Sequence, residues 1–568
     1  MPALSDANPA AHLAAVADAY WDATMAFEPL FATQLGDRRF DRLLPDRSAA
    51  AIDAHAGLLA SLRAELDRID EAGLAVDDRV THSVLGEQIA SDLASLASGL
   101  SDWTVDPLMG PQIDVMDLES YQQARTPVEG RDLVARWQAI GSWLDGIGER
   151  LVAARETGRV AVASPVTKTI DGLGTILATD DADFAALAPA RADHPDWPAA
   201  EVDAHRAEIA AAVSDVIRPA LARFRATLVG EILPHARPDD RPGICHLAGG
   251  DAAYGDLIRV HTSLPLAARE LHETGLAEVA RIREELAVLG ERVLGTSDVT
   301  EIQRRLRSDP GLHFDSRDAI HETAVRALAR AEAAIPGWFG ILPQAHCEVV
   351  RMGAHEEAHS TIAYYRQPAE DGSRAGRYYV NTSAPETRPR YEAEALAYHE
   401  SIPGHHLQIA IGQELAGLPA FRRHLGPTAF FEGWGLYTER LSDEMGLYSG
   451  DLDRIGVLSF DAWRACRLVV DTGMHAFGWT RQQAIDYMVA NTVLAENNVI
   501  NEIDRYITWP GQALAYKSGQ LEILRLRETA RSSLGARFDI HAFHDVVLGA
   551  GAVPLETLRS RVAAWIGA

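Results

Sequence analysis

The chain has 568 residues, 47% of them hydrophobic, enough for more than one lobe around a sizeable core. Its 81 acidic against 53 basic residues give a net charge of −28, which repels phosphate backbones and argues against nucleic acid as a partner. Three cysteines, Cys245, Cys347 and Cys466, stand far apart without CxxC spacing, so neither a disulfide framework nor a thiolate zinc cluster is expected, and a reducing cytoplasm fits.

The first residues, MPALSDANPAAHLAAVADAYWD, lack a basic segment followed by a continuous apolar run, and no stretch of 18 apolar residues follows. Export and membrane spanning are therefore disfavoured, and a cytoplasmic location is expected. Ala, Leu, Glu and Arg dominate at helical spacing, as in Leu58, Leu62, Leu66 and Ile69, which predicts a mainly α fold. Pro-rich breaks at residues 194–198 and 237–243 interrupt the helical mass, since proline removes a donor and restricts the residue before it. A boundary near 245 is expected, dividing an N-terminal helical lobe (1–245) from a catalytic lobe (246–568); one continuous domain is the other arrangement. No repeat period appears, which argues against a solenoid.

Farther on, Ile282, Leu286, Leu289 and Val293 recur at steps of four, three and four, which predicts one apolar helix face. Cys347–Met352, Thr361–Tyr365 and Arg377–Thr382 are short runs rich in Val, Tyr and Thr, the last two flanking a loop with Asp371-Gly372 and Gly376. They predict a small antiparallel sheet. It ends shortly before the most informative segment, so it either lines the same cleft, where an edge strand can pair with a peptide, or simply covers the core.

That segment runs from Tyr398 to Gln408 and holds His399, Glu400, His405 and His406. Zinc favours imidazole nitrogen and carboxylate oxygen, and a hydrolytic zinc keeps one position open for water, so three protein ligands are required. In the common H-E-x-x-H arrangement two His at i and i+4 share a helix face, with the Glu as base. Here Pro403 occupies i+4, and the imidazoles fall at i+6 and i+7. On a regular helix i+6 points about 240° around the axis and i+7 lies about 10 Å along it, so a break at Pro403-Gly404 is needed. The spacing by itself admits either His405 or His406 as the second ligand.

Arg464, Arg467, Asp471 and His475 then recur at steps of three, four and four on an otherwise apolar helix. The stripe reads either as an internal salt-bridge ladder or as a substrate-facing surface. In the second reading His475 assists catalysis while Arg464 and Arg467 bind a substrate carboxylate, with Asp471 orienting Arg467. Later, Tyr506 and Gln512 flank the Pro510-Gly511 turn into a helix carrying Tyr516, and both are expected at the substrate.

H-E-S-I-P-G-H-H-L-Q followed by F-E-G-W-G-L-Y-T-E resembles the domain-of-unknown-function 885 family, itself similar to the thimet oligopeptidase and thermostable carboxypeptidase Taq groups. The resemblance extends to the hairpin A-Y-Y-R-Q-P-A-E-D-G-S-R-A-G-R-Y-Y-V-N-T, to R-A-C-R-L-V-V-D-T-G-M-H and to Y-I-T-W-P-G-Q-A-L-A-Y-K-S-G. It implies a helical, two-lobed ellipsoid with a deep channel. In those relatives the helix reads H-E-x-G-H and a Glu downstream completes the zinc site. Aligning Gly404-His405 with that Gly-His makes His399, His405 and Glu432 the ligands of one Zn2+ per chain, Glu400 the base, and His406 a substrate-binding or supporting group. Glu432 lies 27 residues after His405. Tyr516 corresponds to late tyrosines that donate to the tetrahedral intermediate. The implied activity is zinc-dependent hydrolysis of short peptides or modified dipeptides. The alternatives are hydrolysis of a non-peptide or isopeptide amide in a small metabolite, and a catalytically silent binding protein.

Overall fold

A computed structural model describes residues 8–353, 357, 361–369, 372 and 374–568. The fold is mainly α, with one small sheet. Ten helices suffice to place the site: α1 (Ala49–Leu66), α2 (Val76–Ser98), α3 (Gly250–Thr262), α4 (Ala268–Leu294), α5 (Ala393–Glu400), α6 (His405–Glu414), α7 (Thr428–Glu444), α8 (Asp451–Phe477), α9 (Glu496–Thr508) and α10 (Ala515–Leu534). Among the described residues no helix is long and apolar enough to cross a membrane.

Helix α1 starts where the Ser48 hydroxyl accepts from the Ala51 N–H, and it buries Leu59, Leu62 and Leu66. Leu58, expected on that face, is 45% exposed. Steps of three and four from Leu59 define the stripe, and Leu58 sits about 100° away from Leu59 around the axis. In α4 the expected face is found: Ile282, Leu286 and Leu289 are buried and Val293 packs beside them against Ile455, Leu458 and Cys466 of α8. Each such buried side chain stabilises the fold by about 1.5–3 kcal/mol relative to exposure.

The three expected strands form, as β1 (Cys347–Arg351), β2 (Ala363–Arg366) and β3 (Gly376–Val380). The sheet order is β1-β3-β2, with β2 antiparallel to β3 but β1 parallel to it, so the expected antiparallel sheet is mixed. A hairpin can join β2 to β3 directly, whereas β1 pairs with β3 after a longer connection that contains β2, as a parallel pair requires. Of the turn expected between β2 and β3, Asp371 lies outside the described residues and Gly372 takes a left-handed φ of 70°. The largest apolar cluster joins Leu13–Ile89 positions to positions from Leu264 to Val562, including Tyr378 of β3, Tyr398 of α5 and Trp434 of α7. A second lies wholly within residues 30–232.

Candidate metal centre

Helix α5 ends at Glu400 because Pro403 offers no N–H and biases the residue before it away from helix. The chain leaves helical geometry at Ser401 (φ −110°, ψ −114°) and regains it after Gly404 (φ −78°, ψ −127°), with a cis Ile402–Pro403 peptide between. Two hydrogen bonds pin the break: the His406 N–H donates to the Ser401 carbonyl at 3.0 Å, and Trp434 Nε1 of α7 donates to the Pro403 carbonyl at 2.9 Å. Because the break resets the helical phase, His405 returns beside His399, their rings edge to face with centroids 4.6 Å apart.

Glu432, in the second turn of α7, completes the group. One ligand atom from each of His399, His405 and Glu432 lies within 4.8 Å of the others. Glu432 Oε2 stands 3.6 Å from both His399 Nε2 and His405 Nε2. The far side of His399 is held by Glu439, whose Oε1 is 2.8 Å from Nδ1 and which is 1% exposed. A proton on Nδ1 directed at Glu439 leaves the Nε2 lone pair pointing into the cluster, the arrangement a metal-ligating imidazole requires. His405 Nδ1 is buried without a hydrogen-bond partner.

Two glycines of α7 make this geometry possible. A Cβ on Gly435 would lie 2.6 Å from the His399 ring, so only glycine leaves room for the imidazole. A Cβ on Gly433 would lie 2.4 Å from the Gly519 Cα, so α7 and α10 meet backbone to backbone, which brings Tyr516 toward Glu432.

Burial disfavours charge on His399, but Glu432 and Glu439 outweigh it and raise the imidazole to about 9. Burial likewise opposes the Glu432 carboxylate, yet the two imidazoles hold it well below the usual range. The Glu432 carboxylate thus favours a proton on His399, a place that a divalent cation would take instead. Two imidazole nitrogens and a carboxylate oxygen fit zinc. Glu400 is partly exposed beside this group, close enough to Tyr378 of β3 for its charge to raise that phenol, after burial.

The family model described as "Bacterial protein of unknown function (DUF885)" matches residues 29–562. The chain belongs to the DUF885 family. A crystal structure described as that of the "putative lipoprotein" from Colwellia psychrerythraea is 27% identical, with a TM-score of 0.92 over 99% of each chain. A second, described as a "putative lipoprotein of unknown function" from Shewanella oneidensis, shares the fold at 18% identity and a TM-score of 0.74, over 96% of this chain and 99% of that one. No curated protein matches the chain.

Within this DUF885 chain the remaining expected site residues separate into two groups. Tyr516 lies near the cluster: burial raises its phenol, followed by the charge of Glu432, while Arg467 stacks 4.2 Å from its ring centroid. His406 turns the other way. Its Nδ1 meets the Tyr365 hydroxyl of β2 at 2.9 Å and its Nε2 the Ala345 carbonyl at 2.9 Å, so both nitrogens are engaged within the protein and away from the His399–Glu432 cluster.

The stripe on α8 is an internal network. His475 accepts from the Ile244 N–H through Nδ1 at 3.1 Å and donates from Nε2 to the Tyr506 carbonyl at 2.9 Å, leaving no ring nitrogen for catalysis. Asp471 does not orient Arg467; it accepts from the Tyr254 hydroxyl at 2.6 Å and the Gly511 N–H at 3.1 Å. Arg467 instead donates to the Tyr506 hydroxyl at 2.7 Å and to Glu502 of α9 at 2.9 Å, and is 3% exposed. Burial opposes the Glu502 charge, but Arg505 and Arg467 hold it down to about 2. Gln512 accepts from Arg505 at 3.1 Å. Thus Arg467 and Tyr506 bind each other and Glu502, and Gln512 binds Arg505, while Arg467 Nη1 is buried without a partner among the described residues. Arg464 is buried against the Phe460 and Trp463 rings, at 4.6 and 4.4 Å.

Glu439, Gly435 and Tyr365 escaped the sequence reading. The signal for Glu439 was present, since it closes the motif F-E-G-W-G-L-Y-T-E two turns after Glu432 on the same helix face.

Proposed function

We propose that the chain is a zinc-dependent hydrolase of amide bonds in short peptides or modified dipeptides. The convergence of His399, His405 and Glu432 within 4.8 Å, beside the partly exposed carboxylate of Glu400, carries this reading. Zinc bound there supplies Lewis acidity, polarising a substrate carbonyl and making water more acidic at neutral pH. Glu400 takes the proton of the attacking water and returns it to the leaving amine, the role its place beside the ligands suits. The Tyr516 hydroxyl donates to the carbonyl oxygen as that atom gains charge. Glu439 fixes the tautomer and orientation of His399.

Elemental analysis of the purified protein is expected to find close to one zinc per chain, and His399→Ala or Glu432→Ala to abolish tight binding. A panel of di- and tripeptides should be hydrolysed, with activity lost on chelation and restored by zinc. Hydrolysis that survives complete chelation overturns the proposal.

A further inference from the structure

Helix α7 brings a second feature close to the metal centre. At its N-terminal end, residues 426–428 line a cavity of about 120 Å³ whose other walls come from α2, α3 and Pro554. Thr428 precedes Glu432 by four residues, so both side chains lie on one face of α7, about 6 Å apart along the axis. The opposite wall is one face of α2, where Gln88, Ser91, Asp92 and Ser95 recur at helical spacing, with Glu87 beside them. From α3 comes His261, 7% exposed, whose Nδ1 is buried without a hydrogen-bond partner.

The lining is rich in acceptors and carries net negative charge. Among the described residues that line the cavity there is no lysine or arginine. Glu87 is offset by Arg259, which donates to both its oxygens at 2.9 and 3.0 Å. Asp92 has no such partner: its oxygens accept from the Tyr20 hydroxyl at 2.6 Å and Gln88 Nε2 at 3.0 Å, both neutral, and each keeps acceptor capacity. Burial lifts the Asp92 carboxyl to about 6, which still leaves it ionised at neutral pH. Burial lowers His261 to about 4, so its imidazole is neutral there and contributes a lone pair rather than a competing charge. The α7 N-terminus adds a partial positive charge of about +0.5, less than the full charge on Asp92.

We infer that this cavity is a subsite for a primary ammonium group of the substrate, held by Asp92, His261 and the serines of α2. The inference rests on the hydrolase reading and narrows it to a substrate class. An ammonium group offers three donors and no acceptor, which matches this lining and mismatches a carboxylate or phosphate. The wall at Thr428 stands about one helical turn from Glu432, and Asp92 lies on the wall beyond it, so the amine sits farther along the substrate than the residue at the metal centre. The favoured substrates are therefore peptides with a free amino end.

The test uses the full chain and Asp92→Asn, which keeps an acceptor for Tyr20 while removing the charge, with thermal melting to confirm folding. Binding of alaninamide to the metal-free protein, read by ligand-observed NMR, is expected for the wild type and at least tenfold weaker in Asp92→Asn, with N-acetylalaninamide binding neither. Equal binding of the two amides, or binding indifferent to Asp92→Asn, overturns the subsite. On the zinc-loaded enzyme, Asp92→Asn should raise KM tenfold or more for a free dipeptide and leave its N-acetylated form unchanged. An N-acetylated peptide carrying its only amine on a lysine side chain separates sources: preference for it over the free dipeptide overturns assignment to the amino terminus. Should alaninamide bind through Asp92 while no amide is ever hydrolysed, the hydrolase reading fails and the ammonium pocket stands.

Discussion

Two buried polar regions lie within a few side chains of each other, and they are built on opposite principles. Around α8 and α9 most polar groups meet a protein partner: Arg467 meets Glu502 and Tyr506, Asp471 meets Tyr254 and Gly511, and His475 spends both nitrogens on backbone, while Arg464 and Arg467 keep guanidinium nitrogens buried without one. Around the α5–α6 break, His399 spends only Nδ1, on Glu439, and turns Nε2 toward His405 and Glu432. Buried polar atoms without such partners are costly, so a network bonded mostly within itself stabilises the fold, whereas imidazoles and a carboxylate that converge on one point suit a cation. Imidazoles and carboxylates serve both regions, and their partners tell the two apart.

The sharpest way to break the contrast is Glu400→Gln. It keeps shape and removes the base, so zinc should be retained while turnover falls at least 10²- to 10⁴-fold, the usual worth of acid–base catalysis. Loss of zinc with this substitution would make Glu400 a ligand and redraw the centre.

A second comparison sets His405→Ala against His406→Ala. The first should lose zinc with little change in melting of the metal-free protein. The second should keep zinc but lose about 2–4 kcal/mol of stability in denaturant unfolding, because it removes two buried hydrogen bonds and leaves a cavity. The reverse pattern would move the ligand to His406.

Glu439→Gln probes the support behind the centre. Removing a carboxylate that orients a ligating imidazole typically weakens metal binding about 10- to 100-fold, and competition with a chelator reads this directly. An unchanged affinity would assign Glu439 to packing alone.

The smallest functional effect is expected for Arg467→Lys. Lysine keeps the charge but not the fork that reaches Glu502 and Tyr506 together, so stability should fall by about 1.5–3 kcal/mol. kcat/KM should change equally for a substrate with a free carboxylate and for its amidated form. A selective loss on the carboxylate would return Arg467 to the substrate.

Periodicity placed the apolar face of α4, the polar stripe of α8 and the three strands, because each depends on neighbours within a turn or two of backbone. The same short range made the helix break before His405 legible: Pro403 at the position where a second imidazole belongs announces it, and family resemblance joined Glu432 to the candidate centre. What the stripe is for was not legible. Its partners, Ile244 for His475 and Glu502 for Arg467, lie 231 and 35 residues away, and only helix packing brings them into bonding range. The parallel pairing of β1 and the inward turn of His406 toward Ala345 depend in the same way on segments distant in sequence. Sequence by itself thus determined which groups a helix presents and where it must break, since covalent geometry settles those locally. Tertiary structure alone decided which of the presented groups find protein partners and which converge with one another.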